Sequence, residues 1–146
     1  GTFWHITDLH WDPTYILSDN PQQVCASSGK QPAVNAGKFG DYVCDSSWHL
    51  INSTLYAMKD ILPDPDFIIW TGDDTPHVPN EDLGEQAVLS IISNLTYIIH
   101  QVFPYTKVYS ALGNHDYHPK NQLPAEPNYI YDQVAKMWQG WLNSDS

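Results

Sequence analysis

The chain has 146 residues, 42% of them hydrophobic, including six Trp, nine Tyr and four Phe. That is enough for one domain with a core, and it excludes fibrous, low-complexity and disordered classes. Seventeen acidic residues against six basic ones leave a formal charge of −11, still negative with all seven His protonated, which excludes nucleic-acid binding by a basic surface. No apolar run reaches about 18 residues, so no segment is expected to cross a membrane. Gly1-Thr2-Phe3-Trp4 lacks a basic start and an apolar signal core, so any secretion signal is expected to have been removed already. An anionic ligand would need local positive charge, and a bound divalent cation is the usual source.

In chain order, Phe3–Thr7 is a short aromatic and β-branched run, predicted as a strand ending in Asp8-Leu9-His10. A polar excursion follows from about Trp11 to Asp45, and loops of that length are usually functional or pinned. It contains Cys25 and Cys44. A disulfide between them is expected, worth about 3 kcal/mol by loop entropy; the alternative is two free thiols. Ser46 or Ser47 caps a predicted helix running to about Leu62, with Trp48, Ile51, Leu55, Met58 and Leu62 on one stripe. Pro63-Asp64-Pro65 ends it.

Asp66–Thr71 is a continuous apolar run, predicted as a central strand buried on both faces and stopping at Gly72-Asp73-Asp74. A Pro-rich loop carrying His77 leads to a helix from about Asp82 to Phe103. Lys107–Leu112 is the third predicted strand, ending at Gly113-Asn114-His115-Asp116. A last helix spans about Asn128 to Leu142, with Ile130, Val134, Met137, Trp138 and Trp141 inward. This β-loop-α-β-α-β-α order predicts an α/β fold with a parallel sheet and right-handed crossovers. Asn52-Ser53-Thr54 and Asn94-Leu95-Thr96 are N-glycosylation sequons, at Asn52 and Asn94. Sequons and paired cysteines together point to the secretory pathway, whether extracellular, cell-surface or lysosomal.

Each of the three predicted strands ends in a cluster of Asp, Asn or His. Alone, each cluster reads as a cap or a turn. In an open α/β sheet, however, the ligand crevice lies beyond the carboxyl ends of the strands. Asp8, His10, Asp73, Asn114 and His115 are therefore expected to converge. Carboxylate, amide and imidazole groups suit Zn²⁺, Mn²⁺ or Fe. Asp73, with two oxygens on the central strand, is placed to bridge two ions about 3.5–4 Å apart, with Asp8 and His10 on one ion and Asn114 on the other.

Asp8-Leu9-His10, Gly72-Asp73-Asp74 and Gly113-Asn114-His115-Asp116 resemble the first three signatures of the calcineurin-like metallophosphoesterases. The longer stretches Phe3–His10, Trp70–Pro79 and Ala111–Asp116 resemble the acid sphingomyelinase-like phosphodiesterases within that group. The cytosolic Ser/Thr phosphatases are a poorer match, because Thr75-Pro76-His77 stands where they carry Asp-Arg-Gly. The resemblance implies the N-terminal βαβαβα half of a mixed-sheet sandwich. It implies two zinc ions, with Asp8 and His10 on the first, Asp73 bridging and Asn114 on the second. It also implies that His115 and His77 contact phosphate and assist proton transfer, while a metal-activated water attacks in line. Trp11-Asp12-Pro13 would line the mouth of such a site.

The family's pattern adds one His and then a Gly-His-x-His pair, and residues 1–146 contain neither. His5, His49, His100 and His118 do not make that pattern; the first three read as core-edge or surface residues, and His118, in the loop after the third cluster, reads either as facing substrate or as a surface residue. Two zinc ions sharing one carboxylate need roughly three protein groups beyond these four. Residues 1–146 are thus expected to be the N-terminal part of a single domain, inactive alone and completed by the remainder of the polypeptide. The expected function is a secreted or cell-surface di-zinc hydrolase of phosphodiesters or nucleotides, any membrane association coming from a C-terminal anchor outside this chain. A non-catalytic fragment or regulatory binding protein that keeps the scaffold is the alternative.

Overall fold

A computed structural model describes residues 1–143 of the chain. Three short parallel strands, β1 (Phe3–Ile6), β2 (Phe67–Trp70) and β3 (Val108–Ser110), form a sheet in the order β1-β2-β3. The predicted α/β order is present, with α1 (Trp48–Ile61), α2 (Glu85–Val102) and α3 (Tyr129–Leu142) each following a strand. Ser47, rather than Ser46, caps α1: its Oγ accepts from Leu50 N at 3.2 Å and donates to Lys38 O at 2.8 Å, tying the helix start to the long loop. Asn128 caps α3 by accepting from Tyr131 N at 3.0 Å. Helix α2 begins at Glu85, three residues later than expected, because Asn80–Asp82 close into a 3₁₀ turn before Gly84.

The core lies between one face of the sheet and the helices. Ile6, Ile68, Trp70 and Val108 pack there against Ile51, Leu55 and Met58 of α1, Ile92, Leu95 and Ile99 of α2, and Ile130, Val134 and Trp138 of α3. Trp70 is fully buried, with its ring 5.5 Å from that of Trp138. The expectation that β2 is buried on both faces is corrected. Its register alternates, and Phe67 and Ile69 on the second face are only half-buried. Phe3 stacks on Phe67 at 5.0 Å, and Phe67 meets Tyr109 edge-on at 6.0 Å, on a face that no helix of the described residues covers.

The excursion between β1 and α1 has little regular structure and holds itself by side chains. Cys25 and Cys44 form a disulfide. Asp12, 1% exposed, accepts from Thr14 N, Thr14 Oγ1 and Ser27 N at 2.6 to 2.9 Å. Trp11 packs its ring 4.8 Å from that of Trp48, and with Asp12 and Pro13 it lines a cavity against Ala87 and Ile91 of α2. These three residues therefore frame the loop and do not line the cleft beside Asp8 and His10, contrary to expectation. Replacing both cysteines by Ala should lower stability by about 3 kcal/mol, since the broken 19-residue link restores chain entropy to the unfolded state. Denaturant unfolding of the oxidised protein and of the double variant measures this, and equal midpoints would refute it.

Candidate metal centre

The sheet presents its three carboxyl ends at one rim, and the turns beyond them interlock through the backbone. Asp8 N donates to Gly72 O at 2.8 Å, His10 N to Asp73 O at 3.1 Å and Trp11 N to Asp74 O at 2.9 Å. Asp8, His10 and Asp73 all hold left-handed backbone conformations, with φ of 54°, 38° and 60°. Such conformations cost free energy for residues with side chains and cluster at functional sites, where the surroundings over-determine them. Gly72 and Gly113 let the β2 and β3 turns touch. A Cβ on Gly72 would lie 2.6 Å from Ala111 O, and one on Gly113 would lie 2.5 Å from Asp73 N.

Buried Asp116 fastens these turns together. Its Oδ2 accepts from Asp73 N at 2.7 Å and Gly113 N at 2.9 Å, and its Oδ1 accepts from Asp74 N at 2.7 Å. Asp74 is buried as well and accepts from Trp70 Nε1 at 2.8 Å. Burial first, and the neighbouring Asp116 charge second, push the Asp74 carboxyl well above the ordinary carboxylate range. Burial also raises Asp116, against the pull of its backbone N–H donors. In the sequence Asp116 stands out only as the end of a motif. Nothing local marks it as a clamp, because two of its three donors, Asp73 and Asp74, lie 43 and 42 residues away.

Ligand-capable atoms of Asp8, His10 and Asp73 lie within 4.8 Å of one another. His10 Nδ1 makes a 2.8 Å hydrogen bond to Thr75 O, and a carbonyl only accepts, so Nδ1 carries a proton and Nε2 is the nitrogen that bears the lone pair in the neutral ring. That Nε2 points toward Asp8 Oδ1 at 3.5 Å. A second-sphere carbonyl of this kind is how metal-binding imidazoles are oriented. The Thr7 hydroxyl donating to Asp8 holds that carboxyl below its ordinary pKa, with His10 assisting and desolvation opposing. Asp73 Oδ1 accepts from His115 N at 3.0 Å. Asn114 Nδ2 donates to Asn121 Oδ1 at 2.5 Å, which leaves the Asn114 amide oxygen 3.1 Å from both Asp73 oxygens. With the amide turned over, its nitrogen would donate to Asp73 instead and Asn114 would present no oxygen there. Asp8, His10 and Asp73 form a donor set that fits a divalent ion in either orientation of the Asn114 amide.

His115 and His77 flank this group. The rings of His10 and His77 are 4.4 Å apart, those of His10 and His115 5.3 Å, and those of His77 and His115 4.8 Å. Ring nitrogens of all three also fall within 4.8 Å, so a His10–His77–His115 grouping competes with the carboxylate grouping for an ion. Burial holds the His115 imidazole below its ordinary pKa, against the pull of Asp73. Asp45 and Lys120, neither singled out from the sequence, meet the loop that carries His77. Lys120 Nζ donates to Pro76 O at 2.6 Å and Val78 O at 2.7 Å. Of the remaining histidines, His5, His49 and His100 are exposed, as expected, and His118 is half-buried. Asn94 is exposed on α2 and Asn52 half-buried on α1. A cleft of about 820 Å³ runs from Asp8 and His10 along the disulfide loop, past Val34, Phe39, Tyr42 and Asp45.

The calcineurin-like phosphoesterase family pattern matches residues 1–145. Acid sphingomyelinase-like phosphodiesterase 3b is 66% identical to the chain over 146 residues in Mus musculus and 64% in Homo sapiens. The cyclic GMP-AMP phosphodiesterase SMPDL3A of Homo sapiens is 46% identical over the same length. All of the chain is covered in each case, against 32% of each relative, so the chain spans about a third of the length of these proteins.

Proposed function

The chain belongs to the calcineurin-like phosphoesterase family, and from that premise we propose that it carries one part of a two-zinc site hydrolysing phosphodiesters, nucleotides among them. The observation that carries this reading is the meeting of Asp8, His10 and Asp73 within 4.8 Å, with the Asn114 side-chain amide 3.1 Å from the Asp73 carboxylate. Asp8 and His10 would hold one ion, Asn114 the other, and Asp73 both. Bound there, the metal supplies Lewis-acid charge against the phosphoryl oxygens and lowers the pKa of water. The protein's own residues do the rest. Thr75 O orients His10, and Asp116 holds the Asp73 turn in register. His77 and His115 stand beside the metal ligands, where imidazole N–H groups can bind a phosphate oxygen and His115 can protonate the leaving oxygen. The names of the relatives, phosphodiesterases of the acid sphingomyelinase-like and cyclic GMP-AMP kinds, support diester substrates.

On this reading residues 1–146 belong to a larger domain. The four ligand residues are too few for two zinc ions. The face bearing Phe3, Phe67, Ile69 and Tyr109 is apolar and lacks a covering helix among the described residues, and the relatives extend well beyond the matched span. The rest of the polypeptide would cover that face and add the missing ligands. The disulfide and the sequons at Asn52 and Asn94 favour the secretory pathway.

Zinc analysis and hydrolysis of bis-nitrophenyl phosphate test both parts. The longest natural polypeptide containing this chain should hold about two zinc ions, lose turnover to a chelator and regain it with zinc. Residues 1–146 alone should bind zinc weakly and turn nothing over. Full turnover by the isolated chain would overturn the divided site, and zinc-loaded full polypeptide that leaves the diester intact would overturn the diesterase reading.

A further inference from the structure

The long excursion after β1 ends on Asp45, and that residue meets the His cluster. Asp45 Oδ2 accepts from the backbone N of His77 at 2.6 Å, and both carboxylate oxygens lie 3.0 Å from His77 Nδ1. Backbone and ring are therefore gripped by one side chain. A carboxylate only accepts, so the His77 proton must sit on Nδ1, and Nε2 becomes the atom turned away from Asp45. Unconstrained neutral imidazole carries its proton mostly on Nε2, so this hydrogen bond selects the less common form.

Asp45 is itself held from several directions. It follows Cys44 of the disulfide, and its N–H donates to Ser27 Oγ at 2.8 Å. The next residue, Ser46, donates its N–H to His10 O at 3.0 Å and pairs with Trp11 in an isolated bridge. The loop thus ties one carboxylate both to the His10 turn and to a covalent cross-link.

We propose that Asp45 is a positioning residue that fixes His77 as its Nδ1–H tautomer and so makes Nε2 the working atom of that imidazole, which rests on the functional reading above for what Nε2 then does. The loop and its disulfide serve to deliver this carboxylate.

The isosteric Asp45→Asn variant separates orientation from mere packing. Its oxygen can still accept the His77 backbone N–H, while its amide N–H takes the other oxygen's place 3.0 Å from Nδ1 and favours the proton on Nε2. Nitrogen NMR of ¹⁵N-histidine-labelled full polypeptide reads this directly. The wild type should show the Nδ1–H form at His77 and Asp45→Asn the Nε2–H form, each with and without zinc. Zinc content should stay unchanged while kcat on bis-nitrophenyl phosphate falls about 10–100-fold, more than KM changes. Asp45→Ala, which removes the acceptor altogether, should likewise shift His77 toward Nε2–H and serves should Asp45→Asn not fold. An Nε2–H form in the wild type, or an unchanged tautomer in both variants, would overturn the proposal, as would zinc loss in either, which would make His77 a metal ligand. Absent turnover in the wild type would count against the phosphodiesterase reading alone, because the tautomer comparison decides the role of Asp45 without it.

Discussion

Replacing Asp73 with Asn should strip zinc from the full polypeptide and abolish diester hydrolysis, whereas His115→Ala should keep the zinc and lose turnover. Asn tolerates the left-handed backbone at this position (φ 60°) and retains an oxygen for His115 N, so the turn is expected to survive. What would vanish is the negative charge that the proposed site sets between its two cations. Changing a group behind a metal ligand costs about 10–100-fold in affinity, and loss of a shared carboxylate should exceed the upper end of that range, about 100-fold. His115 donates only its backbone N–H to Asp73, so its side chain can be removed without touching the carboxylate. Loss of a general acid should lower kcat by about 10²–10⁴-fold. Elemental analysis beside steady-state kinetics reads both. Should the two variants lose zinc equally, His115 is itself a ligand and its proton-donating role falls; should His115→Ala alone lose zinc, the His10–His77–His115 grouping holds the ion and the bridging role of Asp73 falls.

Asp116→Ala should be the most destabilising single change at the rim. It leaves the N–H groups of Asp73, Asp74 and Gly113 without their acceptor in a place water scarcely reaches, beside Asp74, which is 0% exposed. Hydrogen bonds to a charged acceptor contribute more than neutral ones, and a buried donor left without its acceptor costs about 1–3 kcal/mol. Zinc affinity should fall with it, because the Asp73 turn loses its register to the β3 turn. Asp116→Asn should recover little, since its amide would set an N–H against one of the three donors. Urea unfolding of the metal-free protein measures the stability term. A loss below about 1 kcal/mol, the size of an ordinary substitution, would mean that water replaces the carboxylate and that the clamp is not structural.

Much of the site is legible without coordinates because it is built from strand ends. A run such as Phe67–Trp70 announces a strand by its apolar continuity, and the residue after it must lie at the sheet's carboxyl rim. Asp8, His10, Asp73, Asn114 and His115 can thus be assigned to one neighbourhood although up to 107 residues apart, and the structure brings them there. Helix α1 is legible to within one residue of its cap, Ser46 or Ser47, since the serines and the stripe Ile51, Leu55, Met58 are local signals. The start of α2 is not, because Glu81 and Asp82 look like a helix's acidic first turn while the chain spends them on a 3₁₀ turn.

Local pattern by itself determined the order of elements, the parallel α/β class, the cysteine-bearing excursion and the identity of the candidate ligands, because hydrophobic period, capping residues and turn chemistry act over a few neighbours. Tertiary structure alone decided that Asp45 grips His77, that Asp116 clamps two turns, that Trp11 packs on Trp48 away from the cleft, and that the second face of β2 stays open among the described residues. The physical reason is the same for each. A carboxylate or an aromatic ring takes its role from whichever donors or surfaces surround it, and in this fold those belong to segments tens of residues distant, brought near only when the sheet and its loops close.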